Sequence, residues 1–372
     1  MPKKYRVAAI GFAHVHMAST LELFASCRDQ VELVAAADIK PVVPGISREK
    51  GTRVEQLESA VSKYGFKVYD CHEKLLDENQ IDIVLVCSEN TLHPVILEKI
   101  LRRGIHVVVE KPLAATMEGA LRIERAAREK GARVICNWPS AWYPAVRTAK
   151  KLLDSGAIGK IFKINYRNYD SQGPFSYGQV MTDTEKGREW WYRSDSGGGA
   201  MLDYCCYGAC IACWFTGQSP QAAFGIKANF NSPYGSTDDF SAITVRFPDA
   251  VAMLEGSWTT VNSGVPNGPI IFGLEGTMVV RLNGNVEIYK QRRKDTPDEV
   301  ITADPLPAGR EDLAKETLHH LDTGAPLFPM LDLPVNMASV SILDAGARSA
   351  LSGKMELIND GVWCIGDDPY IM

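Results

Sequence analysis

The first third of the chain alternates short apolar runs with amphipathic stretches. Residues 6–10, 31–37, 66–69, 81–87, 107–109 and 133–136 are brief, rich in β-branched residues and bounded by turn formers, so each reads as a strand. Residues 17–24, 55–64, 93–103 and 117–130 carry helical spacing between them. Such alternation predicts βαβ units around a parallel sheet. Right-handed crossovers bring every strand's carboxyl end to one edge, so Gly11, Asp38, Ser88-Glu89-Asn90 and Glu110-Lys111 are expected along one crevice. After Cys136 the pattern changes. Residues 144–153 read as a helix, and a series of short stretches between 161 and 291 alternates apolar and polar positions. That period of two predicts a mostly antiparallel sheet with one covered face. Late helices are expected over 310–322 and 335–352. The expected organisation is an α/β domain over residues 1–136 and an α+β domain with a large, open, mostly antiparallel sheet over 137–372.

Length and charge narrow the functional classes. A chain of 372 residues has material for two cores, and its 45% hydrophobic and 23% charged content is ordinary for a globular protein. A net charge of -5 offers no electrostatic footprint for nucleic acid or a membrane surface. The apolar run after Arg6 is too short for a signal peptide, and no stretch approaches the roughly 20 apolar residues of a membrane span. Nine cysteines without framework spacing suggest reduced thiols, hence a cytoplasmic protein.

Chemistry concentrates at strand ends. Glu110-Lys111-Pro112 closes the apolar run 105–109. A lysine at the carboxyl end of a buried parallel strand is costly unless its ammonium meets a ligand, where it can stabilise charge developing on a substrate oxygen. The bland reading is a solvent-facing lysine before a turn. The first turn reads Gly11-Phe12-Ala13-His14-Val15-His16. Of the three glycines of a dinucleotide fingerprint only Gly11 is present, with Ala13 and His16 in the second and third places. Ala13 is small enough for a pyrophosphate to approach the helix start. Asp38 at the end of the second strand can accept bonds from ribose hydroxyls, which favours NAD over NADP, although Lys40 and Arg48 stand near it. His14 and His16 have no evident carboxylate or cysteine partner in the sequence nearby, so they are expected over the cofactor or packed, and no metal site is expected.

A second constellation is Gly197-Gly198-Gly199 followed by Asp203 and Tyr207. The glycines suit close backbone approach to a ligand, and the two polar residues share one face of a helix expected to end before Gly217. A tyrosine beside a lysine ammonium is a plausible proton carrier, because the positive charge favours phenolate. Cys205, Cys206, Cys210 and Cys213 point around one helix and lack a second ligand pair, so they read as small buried hydrophobes.

Together these residues resemble the Gfo/Idh/MocA oxidoreductases over nearly the whole length. The resemblance rests on the first turn, Asp38, Ser88-Glu89-Asn90-Thr91-Leu92-His93, Glu110-Lys111-Pro112, the triple glycine with Asp203 and Tyr207, and Gly273-Leu274-Glu275-Gly276-Thr277. It implies a Rossmann domain, a second domain whose open sheet serves in a homodimer or homotetramer, and NAD(P)-dependent oxidation or reduction of sugars, cyclitols and polyols. It places Gly11, Phe12, Ala13, His14, His16, Asp38, Ser88, Asn90, His93, Glu110, Lys111 and Asn137 at the cofactor, with Asn90 and His93 beside the nicotinamide. Most members carry histidine where this chain has Tyr207, and an aspartate where it has Cys210, which makes an inositol a less suitable substrate.

Aromatic residues give the substrate clue. Trp138, Trp142, Trp190, Trp191 and Tyr192, with Arg193 close by, are expected to wall a carbohydrate pocket, since aromatic faces suit the C–H faces of sugar rings. The expected reaction is hydride transfer between a sugar carbinol carbon and NAD. Lys111 holds the developing alkoxide, Tyr207 carries the proton, Asp203 orients the hydroxyl and Glu110 holds Lys111. The alternatives are oxidation followed by elimination of an aglycone from a glycoside, and a sugar-sensing protein that binds NAD without turnover.

Overall fold

In a computed structural model, which describes residues 4–171, 173–175, 178–261, 267–281 and 284–358, two sheets organise the chain. The first is built by β1 (Tyr5–Phe12), α1 (His16–Ser26), β2 (Val31–Ala37), α2 (Arg53–Tyr64), β3 (Lys67–Tyr69), α3 (His72–Glu78), β4 (Ile83–Cys87), α4 (His93–Leu101), β5 (His106–Glu110), α5 (Met117–Lys130) and β6 (Val134–Asn137). Its six strands run parallel in the order β3-β2-β1-β4-β5-β6. All five residues of β4 are buried, as a strand with helices on both faces requires. Sequence reversal between β1 and β4 makes the switch point, the place where such sheets bind ligands.

The second part contains α6 (Pro144–Asp154), β7 (Ile161–Tyr169), α7 (Asp183–Lys186), α8 (Cys206–Thr216), β8 (Ala222–Ala228), β9 (Phe240–Arg246), β10 (Val251–Ser257), β11 (Ile270–Gly273), β12 (Gly276–Val280), β13 (Asn285–Tyr289), β14 (Glu299–Thr302), α9 (Leu313–Thr323), α10 (Leu333–Ser352) and β15 (Glu356–Leu357). Nine strands take the order β14-β13-β12-β11-β7-β10-β9-β8-β15, antiparallel except where β10 pairs with β7. One face packs on α8 and α10. The other leaves Phe224, Ile226, Val251 and Met253 exposed. Cys205, Cys206, Cys210 and Cys213 are buried and unpaired in the helical layer. Among the described residues no helix is long and apolar enough to cross a membrane.

Three expected substrate contacts belong to packing instead. Trp138 is fully buried and its indole donates to Asn336 Oδ1 at 2.8 Å, fixing α10 against β6. Trp142 is partly buried, with its ring against the Arg147 guanidinium. Tyr192 is buried edge-on against Tyr234 and Trp258.

Candidate active site

The end of β5 delivers Glu110 and Lys111 to the crevice, and both are buried. The lysine meets the chain just before α8. Its Nζ donates to Asp203 Oδ1 at 2.6 Å and to the Asp203 carbonyl at 3.0 Å, and lies 4.7 Å from the Tyr207 ring centre. Residues Met201–Cys205 form a π-helical turn ahead of α8. This wider turn still leaves Asp203 and Tyr207 on one side, the geometry that i, i+4 spacing suggested. Trp258 Nε1 donates to the other Asp203 oxygen at 3.3 Å. Burial works against the Lys111 charge, yet Asp203 and then Tyr207 outweigh it and hold its pKa well above the ordinary value. Removing one partner of such a buried pair costs about 3–5 kcal/mol.

Tyr207 behaves differently from the expected phenolate. Burial pushes its hydroxyl well above the ordinary value, and the opposing pull of Lys111 is smaller. The group is therefore a neutral hydrogen-bond donor at rest. Glu110 also differs, since it holds His16 rather than Lys111. Its Oε1 lies 3.0 Å from His16 Nδ1 and its Oε2 accepts from Asn137 Nδ2 at 2.9 Å. Burial raises Glu110, but His16, Lys111 and Asn137 together bring its carboxyl below the usual range.

A cavity of about 190 Å³ opens here, lined by His14, His16, Lys111, Asp203 and Tyr207 together with Trp191, Tyr204, Asn168 and Asp170. Of the expected aromatic wall, only Trp191 reaches it. Trp190 stacks on Trp191 at 4.0 Å and its indole donates to the Ala13 carbonyl at 2.8 Å, so it seats the second domain on the first turn. Arg193 is turned away into an ion pair with Asp195. Asn168, Asp170 and Tyr204 were not legible as site residues. They come from the end of β7 and from the turn before α8, and only the sheet topology brings them to Lys111.

The remaining expected cofactor residues divide into two groups. Gly11 lies at φ 80°, and a Cβ there would stand 2.9 Å from the Ser88 Cβ, so the turn passes closely under the end of β4 as a phosphate-cradling turn does. Phe12 buries its ring in the core while its amide donates to Asp38 Oδ1 at 3.1 Å. Asp38 stands just past the end of β2, at the same sheet edge as Gly11, so the residues present suit a dinucleotide. It also holds Arg53 at 2.6 Å, and Arg53 reaches on to the buried Glu89. The amides of Ala13 and His14 both donate to the Cys87 carbonyl. Asn90, Ser88 and His93 each meet protein partners at this edge. Asn90 donates to the Gly197 carbonyl at 2.8 Å, and Ser88 is buried beneath Gly11. His93 is fully buried, its ring nitrogens on the carbonyls of Pro112, Leu113 and Ser88, where it braces the strand end that carries Lys111. The triple glycine also passes close to protein backbone and side chains. A Cβ on Gly198 would stand 2.1 Å from the Trp191 carbonyl, and one on Gly199 2.4 Å from Asp238 and Thr237.

Residues 6–138 match the model of an oxidoreductase family with an NAD-binding Rossmann fold, and residues 146–279 match the GFO/IDH/MocA C-terminal domain. A D-xylose dehydrogenase of Paenarthrobacter nicotinovorans is 23% identical over 288 residues, covering 70% of this chain and 72% of that protein. A dTDP-3,4-didehydro-2,6-dideoxy-alpha-D-glucose 3-reductase of Streptomyces antibioticus is 30% identical over 191 residues, 51% of this chain and 53% of its own length. The WlbA dehydrogenase of Bordetella pertussis, solved with NADH and UDP-GlcNAcA, superposes with a TM-score of 0.74 at 19% identity, covering 96% of this chain and 99% of that one.

Proposed function

Because the chain belongs to the Gfo/Idh/MocA family of NAD-binding oxidoreductases, we propose that its crevice transfers a hydride between NAD and a ring hydroxyl or keto group of a sugar or sugar derivative. The observation that carries this reading is the Lys111–Asp203 pair beside Tyr207, at the carboxyl edge of the sheet and around one cavity. The names of the relatives, a xylose dehydrogenase and a deoxysugar reductase, point the same way.

The nicotinamide, when bound, gives or takes the hydride. Gly11 and Asp38 would hold the dinucleotide. Lys111 stabilises negative charge on the sugar oxygen as it develops. Asp203, fixed by Trp258, keeps the ammonium aimed into the cavity. Tyr207, neutral at rest, donates its proton to that oxygen in reduction; in oxidation it first releases that proton to water, and the phenolate beside the Lys111 ammonium then takes the hydroxyl proton. Trp191 offers a face to the ring. Arg53, next to Asp38, also gives a 2′-phosphate a partner, so NADP is accepted more weakly than NAD. The exposed face of the nine-stranded sheet pairs with a second copy into a homodimer or homotetramer, and the protein acts in the cytoplasm.

The test is an NADH-formation screen over free sugars, anhydrosugars and glycosides with both cofactors. Reduction of NAD by at least one free sugar is expected. Aglycone release without net NADH would assign oxidation with elimination instead, and tight NAD binding without turnover on any sugar would overturn the reading.

A further inference from the structure

We propose that His14, His16 and Glu110 form a binding site for a first-row divalent transition-metal ion, opening on the cavity beside Lys111. The spacing of two histidines in the turn after β1 had no evident carboxylate partner. The fold supplies one from the end of β5. Glu110 Oε1 lies 3.0 Å from His16 Nδ1 and 3.8 Å from His14 Nε2. One donor atom from each residue falls within 4.8 Å of the other two. Ligands bound at about 2.1 Å to one ion stand roughly 3–4 Å apart, so the three atoms need little movement to share a cation.

Three further observations point to a ligand. His14 is buried, yet its Nε2 has no hydrogen-bond partner. A buried ring nitrogen left without a partner calls for an occupant. Glu110 is already fixed through its second oxygen by Asn137, which leaves Oε1 to face the two rings. The rings themselves are held together, with centroids 4.4 Å apart, and Trp191 packs on His14 at 4.6 Å. This shell would explain why His16 stands in the third glycine place of the first turn. Coordination through Nε2 moves the His14 ring proton to Nδ1 and gives up its 3.1 Å contact with the His16 amide. The Nδ1–H would then face the His16 amide N–H, so the ring must also turn slightly away from it, a cost that the metal–nitrogen bond has to offset.

Two imidazoles and one carboxylate suit zinc, cobalt, manganese or iron(II), and three protein ligands leave positions open, as in catalytic rather than structural sites. Those positions face a cavity that Lys111, Asp203 and Tyr207 also line. Their occupants are water or the oxygens of a vicinal diol or hydroxycarbonyl.

The experiment is cobalt(II) titration of the full chain after removal of metals with a chelator, without nicotinamide or sugar, followed by equilibrium dialysis and visible absorption. It therefore stands whatever the screen of sugars returns. One cobalt per chain is expected, with ligand-field bands and no thiolate charge-transfer band. His14→Gln, His16→Gln and Glu110→Gln should each weaken binding about tenfold or more. Cys71→Ser should leave it unchanged, although Cys71, His72 and Glu73 form the other cluster of ligating groups among the described residues. The His16 ring is partly exposed, so His16→Gln reads the constant even if the Glu110 variant fails to fold. Absence of binding by folded wild-type protein, a thiolate band, or affinity unchanged in His16→Gln would overturn the proposal.

Discussion

At the scale of single residues, a lysine placed where charge is expensive found a partner. Glu110-Lys111-Pro112 was legible because an apolar β-branched run fixes where a strand ends, and a charge there demands compensation. The identity of that compensation was less legible. Asp203 and Tyr207 could be paired with Lys111 from helical spacing, but Trp258, which holds Asp203, lies 55 residues further on with no local signal. Tyr207→Phe should lower kcat by about 10²–10⁴, the usual worth of a positioned proton carrier, with little change in KM. Steady-state kinetics on the sugar found active provides the check. Trp258→Phe keeps an aromatic ring of smaller volume and removes one hydrogen bond to a charged group, worth about 1.5–3 kcal/mol. It should reduce kcat/KM by about tenfold or more while circular dichroism stays unchanged.

At the scale of elements, the parallel half was the more legible. A strand buried on both faces reads as a continuous apolar run, and β4 and β5 did so. The second sheet showed its period of two but not its order, because alternation carries no strand direction. The parallel pairing of β7 with β10 is set by the long excursion between them, through α8, β8 and β9. Short elements such as α3 and β14 had too few positions to show a period. Gly11→Ala should destabilise the first domain by at least about 1–3 kcal/mol, because the backbone at φ 80° disfavours a side chain and Ser88 is already in contact; the midpoint of urea unfolding measures it. Glu189 stands next to the Trp190–Trp191 turn. Burial, opposed by Arg53 and reinforced by Glu89, raises its pKa to about 7. The folded state therefore holds a proton that the unfolded chain releases near pH 4.5. Stability should fall as pH rises from about 4.5 to 7, by about 3 kcal/mol at most. Glu189→Gln should flatten this slope in urea titrations between pH 5 and 8.

At the scale of the whole molecule, the site exists only where two domains meet. Lys111 comes from the first and Asp203 from the second, and Trp190, Asn90 and Gly197 lock the two together. The expected substrate wall fell apart on this point. Trp138, Trp142 and Tyr192 lie in loops of the sequence, but Trp138 and Tyr192 are buried in cores and Trp142 is partly buried against Arg147. Arg53→Ala should shift the ratio of kcat/KM for NAD over NADP at least tenfold toward NAD, by removing the guanidinium paired with Asp38. Ile226→Glu on the exposed sheet face should convert the proposed oligomer to monomers in sedimentation velocity. The most direct test of the Lys111 assembly is kcat of Lys111→Met against wild type, with NAD affinity followed by fluorescence in the same protein. A loss of about 10²–10³ in kcat or more with NAD affinity retained is expected; full turnover would contradict the assignment of Lys111 to the chemistry.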